Sequence, residues 1–246
     1  MRVLFMPLPS KRSRRRALAI CFVLALGLLM FFSSEGVKQL LPATSTGDDP
    51  LFQVNTTNQV AALTINVAWG EEYLPDMLNA LKEAGVNATF FMVGDWVEQF
   101  PDLTQALAAD GHELGNHSWS HPYPTQIPAE ALSEEIKKTE KLLVDLTGQE
   151  CKLFAPPYGE WDKEVVLTAA ELGYRTIMWT IDTIDWQKPG VDVIASRVLD
   201  NLAPGSIILM HPTDQTAQAL PQILSGAKEK GYKLMTVGQL IANAES

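Results

Sequence analysis

Cysteine is scarce in this chain, which has only Cys21 and Cys151 among its 246 residues. Cys21 lies inside an apolar run, so the pair excludes a disulfide framework and also a metal site built from cysteines. A metal ion would have to be bound by histidine and carboxylate side chains. Apolar residues make up 46% of the chain and charged residues 20%, which suits one globular domain and argues against extensive disorder.

Positive charge is also scarce beyond the N-terminus. Residues 39–246 contain 12 basic and 28 acidic side chains, a net charge of -16, although the whole chain carries only -10. A surface of this sign repels the phosphates of nucleic acid. We therefore expect no nucleic-acid partner.

The first residues are basic and stand directly before a long apolar run from Ala17 to Phe32. This pattern predicts a basic cytoplasmic flank over residues 1–16 and a transmembrane signal anchor over 17–33. A polar, turn-rich linker is predicted over 34–58. The rest of the chain would then lie outside the cell membrane, as a single-pass protein or, if the anchor is cleaved, as a secreted one.

From residue 59 onward, short apolar runs alternate with amphipathic stretches, and we expect one domain over 59–244. The predicted strands are Val60–Asn66, Thr89–Val93, Glu113–Asn116, Lys152–Ala155, Arg175–Thr180, Ser206–Met210 and Lys233–Thr236. The alternation predicts an α/β fold of parallel strands with helical crossovers. About 185 residues are few for an eight-fold barrel of roughly 250 residues. A shortened, distorted barrel fits better than a doubly wound sheet, although the alternation alone is compatible with both.

Histidine is concentrated where chemistry is expected. Three of the four histidines, His117, His121 and His211, follow predicted strands, where the active sites of such folds lie. The spacing of His117 and His121 allows both imidazoles to reach one cation. Two ligands do not complete a catalytic zinc site, so a pair of surface or capping histidines remains an alternative.

Five segments in chain order carry a family resemblance. They are LTINVAWGEE at 63–72, NHSWSHP at 116–122, FAPPYG at 154–159, WTIDTIDW at 179–186 and IILMH at 207–211. Together they resemble the polysaccharide deacetylase family, carbohydrate esterase family four, and most closely its sporulation-type members with a lengthened first motif. The resemblance implies a distorted (β/α)7 barrel and a metal-dependent hydrolase. Its expected substrate is an N-acetylated cell-envelope glycan, either peptidoglycan or chitin-like oligomers.

The resemblance also implies roles for particular residues. His117 and His121 would bind a divalent metal ion, zinc by analogy, with the third protein ligand undefined. His211 would protonate the leaving amine while Asp185 orients its ring. The residues expected to contact substrate are Pro157, Tyr158 with its backbone N–H as oxyanion donor, Trp186 and Leu209.

The first and third motifs depart from the family pattern. The family's Thr-Phe-Asp-Asp-Gly is replaced by a stretch in which Asn66 stands at the position of the catalytic base, and an amide does not take up a proton near neutral pH. Ala155 replaces the arginine that pairs with that base. Glu71 is a candidate for relocated base or third metal ligand; alternatively, it and Glu72 are acids favoured at a helix N-terminus.

Two functions follow from this mixture of matches and departures. One is an N-acetyl hydrolase whose activity is reduced because Asn66 and Ala155 replace the base and its partner. The other is a catalytically inactive relative that binds or organises cell-wall glycan.

Overall fold

Parallel strands form one curled sheet over residues 49–244, the part of the chain that the computed structural model describes. Its strands are β1 (Val60–Val67), β2 (Thr89–Met92), β3 (Glu113–Asn116), β4 (Leu153–Phe154), β5 (Arg175–Thr176), β6 (Ile181–Asp182), β7 (Ile207–Met210) and β8 (Lys233–Met235). They are ordered β5-β4-β3-β2-β1-β7-β6, and β8 adds to the first residues of β1. Because every pair is parallel, the carboxyl ends of the strands share one edge.

Helices connect the strands. They are α1 (Leu74–Ala84), α2 (Gly94–Gln99), α3 (Pro101–Ala109), α4 (Ala129–Thr147), α5 (Lys163–Glu171), α6 (Val191–Leu199), α7 (Asp214–Glu229) and α8 (Val237–Ala244). Short 3-10 turns lie at Pro124–Gln126, Pro157–Gly159 and Asp185–Gln187. The α/β class with parallel strands is confirmed, and the architecture is a curled half-barrel.

The central strand β1 divides the core in two. Alternate side chains point to opposite faces of a strand, and here Ala61, Leu63 and Ile65 pack in the larger cluster with the helices. Val60 and Ala62 face the inner cluster. This inner cluster fills the curled sheet with Val54, Val60, Ala62, Phe91, Leu153, Ala155, Ile177, Ile207, Met235, Val237 and Leu240. The alternation places Asn66 on the inner side at the carboxyl end of β1.

The sheet does not close in the described part of the chain, because β5 and β6 are its two ends and do not pair with each other. The segment 51–54 lies in this gap. The Leu51 N–H donates to the Thr176 carbonyl at 2.9 Å, and the Val54 N–H donates to the Gly205 carbonyl at 2.9 Å. These residues belong to the predicted linker 34–58, so its last part packs against the sheet.

The predicted flank 1–16 and membrane anchor 17–33 lie outside the described residues. Between residues 49 and 244, no helix has both the length and the apolar character needed to cross a bilayer.

One predicted strand was wrong in extent. The stretch Arg175–Thr180 contains only β5, after which the chain crosses to β7, where the Thr180 N–H donates to the Ile207 carbonyl at 3.1 Å. The next two residues form β6, so the sheet has eight strands within residues 49–244 rather than the seven predicted. A strand of two residues is too short to show an alternating pattern, which explains why it was missed.

Candidate active site

A cavity of about 450 Å³ opens at the carboxyl edge of the sheet. The predicted catalytic and metal-binding residues on its wall are Asn66, His117, His121 and His211. The predicted substrate contacts on its wall are Tyr158, Trp186 and Leu209. The volume lies within the range of small-molecule sites, about 300–1,000 Å³. The structure therefore brings most of the sequence-predicted site residues to one place.

His117 and His121 face each other, with ring centroids 4.9 Å apart. His117 is buried, and its Nδ1–H donates to the Ala155 carbonyl at 2.6 Å, which leaves Nε2 as an acceptor. Burial, followed by the neighbouring His121 and His211, lowers the pKa of His117 to about 3. Burial and His211 also lower the pKa of His121. Both rings are therefore neutral near pH 7.

The loop that carries the two histidines is fixed from two sides. The Asn116 side chain donates to the Ile136 carbonyl at 2.8 Å and accepts the Ser118 N–H at 2.9 Å, a local turn that starts the loop. Glu135 on α4 accepts the backbone N–H of Trp119 at 2.9 Å. His121 itself has a positive φ of 56°, a conformation that non-glycine residues adopt rarely and that often marks functional loops.

His211 and Asp185 form the second part of the site. The His211 Nδ1–H donates to Asp185 Oδ1 at 2.8 Å, and the His211 backbone N–H donates to Oδ2 at 2.6 Å. Thr216 Oγ1 also donates to Oδ2, at 2.7 Å. Burial raises the pKa of Asp185, but these hydrogen bonds outweigh it, so its pKa lies below the ordinary value. The carboxylate thus fixes the ring so that Nε2 is the nitrogen left for the cavity.

The two residues at the positions of the family's base and its arginine partner are uncharged. Asn66 is only 6% exposed, and its Oδ1 has no hydrogen-bond partner within the described chain. Ala155 is 2% exposed and packs in the inner apolar cluster. This arrangement can orient a proton donor but has no carboxylate at the position of the family's base.

The donor set does not complete a metal site. Across residues 49–244, no three His, Cys, Asp or Glu side chains come together as metal ligands. His117 and His121 provide two nitrogen donors, whereas catalytic zinc sites use three protein ligands and a water molecule. The residues present therefore do not fit the predicted metal centre of the family.

Sequence analysis missed several residues of the cavity wall, namely Ala68, Trp69, Gly159, Trp179 and Asp182. All of them lie inside the motifs given above, which mark these segments but do not show which of their side chains face the cavity. Ala68 directly follows β1 and lines the cavity together with Asn66.

Other predicted residues lie apart from the cavity. Glu71 and Pro157 are not on its wall in the described structure. Glu160 accepts a hydrogen bond from Thr125 Oγ1 at 2.8 Å. Asp162 caps α5 by accepting the Val165 N–H at 2.9 Å. No carboxylate has thus been relocated onto the position of the missing base.

Comparison with known proteins agrees with this fold. The family model for polysaccharide deacetylases matches residues 53–177. The uncharacterized protein YlxY of Bacillus subtilis is 43% identical, over 83% of this chain and 64% of its own length. A Bacillus cereus peptidoglycan-N-acetylglucosamine deacetylase is 34% identical, over 75% of this chain and 69% of its own length. The chain belongs to the polysaccharide deacetylase family.

Solved structures include a relative that is described as a pseudoenzyme. A CE4 family pseudoenzyme from Bacillus anthracis is 39% identical and superposes with a TM-score of 0.78, covering 79% of this chain and 69% of that chain. A mutant of the same protein, 37% identical with a TM-score of 0.78 and covering 79% of this chain and 72% of that chain, is described as having restored enzymatic activity. The family therefore contains both hydrolases and members that have lost activity.

Proposed function

We propose that this chain recognises the glucosamine-based glycan of the cell envelope in the cavity at the carboxyl edge of its sheet, without rapid hydrolysis. One observation carries the proposal: His211 and Asp185 are held as a positioned proton donor beside Asn66, where a base would stand. The family, and the peptidoglycan deacetylases among its relatives, supply the class of ligand.

The chemistry of the missing base limits the rate. General acid–base catalysis contributes typically about 10²–10⁴ to rate, and Asn66 cannot take the proton of an attacking water. Ala155 removes the cation that would pair with a carboxylate at position 66. The cavity wall still offers contacts to a sugar through Tyr158, Trp186 and Leu209.

A second candidate is slow deacetylation of N-acetylated peptidoglycan or chitin-like oligomers, which the intact acid half favours. The leaving amine would take a proton from His211 Nε2, with Asp185 keeping the ring in place. In family members a bound divalent ion polarises the acyl carbonyl and activates water. Zinc stays a prediction for this chain, because its described residues supply two of the three protein ligands.

Acetate release, metal content and glycan binding should be measured on the full chain in detergent. The substrates are N-acetylglucosamine oligomers and insoluble peptidoglycan. The wild type should retain peptidoglycan with little acetate release, and Glu71→Gln should change neither quantity. The double variant Asn66→Asp, Ala68→Asp should gain bound metal and acetate release by about 10² or more, because it places a base at position 66 and adds a carboxylate to the cavity wall as a candidate third ligand.

Different results would decide between the candidates. Rapid acetate release by the wild type, lost in His117→Ala, would establish a working hydrolase and contradict the proposal. Loss of release in Glu71→Gln as well would identify Glu71 as a relocated base. A wild type that neither retains glycan nor releases acetate would remove both candidates.

We also propose that residues 17–33 anchor the domain in the cell membrane with the cavity on the outer face. The support is the basic flank before an uninterrupted apolar run. Protease added to intact cells should digest the domain, whereas washing membranes with carbonate should not release it. Protection from protease, or complete release into the wash, would contradict this orientation.

A further inference from the structure

We infer that the cavity prefers a protonated amine to an N-acetyl group, so that its ligand is the de-N-acetylated glucosamine residue of the envelope glycan. This inference rests on the proposed function, since it concerns the same cavity, and it states which chemical form of the sugar is held. The reasons are an unpartnered acceptor, a carboxylate and aromatic walls around one space.

The first reason is the side chain of Asn66. Its Oδ1 is buried without a hydrogen-bond partner in the described structure, although Asn66 lines the cavity. An unmade bond at a buried polar atom is costly, so a native structure keeps one where a ligand supplies the partner. A carbonyl oxygen accepts and does not donate, and it therefore calls for a donor such as an ammonium group.

The second reason is Asp182, the one carboxylate among the described residues of the cavity wall. Its Oδ1 accepts the Ile184 N–H at 2.8 Å, which fixes the side chain. None of the ion pairs within residues 49–244 involves Asp182. A cationic ligand would supply that partner.

The third reason is the remainder of the wall. The exposed rings of Trp69, Tyr158 and Trp186 border the cavity, and Trp179 also lines it. Aromatic faces attract cations and also stack on sugars through their apolar faces. Among the described lining residues there is no lysine or arginine that would repel an ammonium group.

The histidines contribute an acceptor as well. The His117 Nδ1–H is occupied by the Ala155 carbonyl, so the nitrogen that remains for a ligand is the Nε2 lone pair. An N-acetyl group would present an apolar methyl, a carbonyl oxygen and a single amide N–H to this set of acceptors. An ammonium group presents three N–H donors and a positive charge, which is why the deacetylated sugar fits better.

Binding of two defined oligomers tests the inference. The full chain in detergent, with a chelator present, is titrated with a tetramer of glucosamine and with a tetramer of N-acetylglucosamine, and affinity is followed by calorimetry. The wild type should bind the glucosamine tetramer at least about tenfold more tightly, the size of one charge-assisted hydrogen bond. Asp182→Asn, which keeps the oxygen that accepts the Ile184 N–H, should remove most of that preference.

Two further variants separate a local from a general effect. Asp192→Asn removes one negative charge from the exposed start of α6, and it should leave the preference unchanged. Asn66→Leu should weaken binding of the glucosamine tetramer because it removes the buried acceptor at similar volume. Circular dichroism confirms that each variant is folded.

Several outcomes would overturn the inference. Equal affinities, or tighter binding of the N-acetylated tetramer, would refute it while leaving the proposed function intact. Binding of neither tetramer would remove both. If Asp182→Asn and Asp192→Asn reduced the preference for the glucosamine tetramer equally, the preference would arise from general attraction to the acidic surface, which would refute the inference. A preference that exists only when zinc replaces the chelator would be metal-mediated and would also refute the inference.

Discussion

His211 and Asp185 are joined by two hydrogen bonds, one from the ring and one from the backbone of the same histidine. Thr216 donates a third bond to this buried carboxylate from the first turn of α7. These two hydrogen bonds fix the position of the ring and keep a proton on Nδ1, so that Nε2 is the nitrogen that faces the cavity. The site therefore depends on the charge of Asp185, not only on its shape.

Asp185→Asn should reverse the tautomer of His211. The asparagine oxygen can still accept the His211 backbone N–H and the Thr216 hydroxyl, but its NH₂ group then faces Nδ1. Nδ1 must accept a hydrogen bond from this group, so the ring proton moves to Nε2. The free energy of unfolding should fall by about 1–3 kcal/mol. Nitrogen NMR of the histidine rings reports the tautomer. Thr216→Val is the control: it should cost about 1 kcal/mol and leave the tautomer as it is.

The convergence of Asn66, His117 and His211 could be predicted from sequence, because residues that follow parallel strands meet at one edge of the sheet. The positions of Trp69 and Asp182 could not. Each depends on an irregular backbone, a glycine at φ 83° after Trp69 and a φ of 49° at Ile184 after Asp182. Sequence periodicity describes regular elements and carries no signal for such turns.

The same limit explains two other differences. The segment 51–54 looks like a linker because it has no periodicity, yet its backbone hydrogen bonds lie across the open side of the sheet. The replacement of the family's base and arginine by Asn66 and Ala155 could be recognised from the sequence. Only the structure shows that Glu71 lies off the described cavity wall and that Asp182 is the carboxylate on it.

An arginine at position 155 should be tolerated only together with an aspartate at position 66. Ala155→Arg places a cation among Phe91, Leu153 and Ile177 and should lower the free energy of unfolding by about 3–5 kcal/mol. Adding Asn66→Asp should recover about 1–3 kcal/mol as a coupling energy in a double-mutant cycle measured by urea unfolding. Ala155→Met controls for volume and should gain nothing from Asn66→Asp. Additive losses would show that positions 66 and 155 do not interact.

The turn at Gly70 should be intolerant of any side chain. Its φ is 83°, and a Cβ there would collide with the Pro212 carbonyl, in the residue after His211. Gly70→Ala should lower the free energy of unfolding by about 2–5 kcal/mol and alter the near-ultraviolet dichroism as Trp69 shifts. Gly85→Ala is the matched control, since its φ of 65° is also positive but its surroundings are open. It should cost about 1–2 kcal/mol without changing that spectrum. Equal losses in the two variants would rule out the collision.

His112, outside the cavity, should make stability depend on pH. It is 4% exposed, and its Nδ1 accepts the Ala88 N–H at 3.2 Å. Burial lowers its pKa below the ordinary 6.5, so the unfolded chain binds the proton first as pH falls. Stability should therefore be lost below pH 6.5 until the native pKa is reached, with a slope of at most about 1.4 kcal/mol per pH unit. His117 contributes in the same direction, so the measurement compares urea unfolding of the wild type and His112→Gln across this range. The variant should show the shallower dependence, and parallel curves would mean that His112 titrates alike in both states.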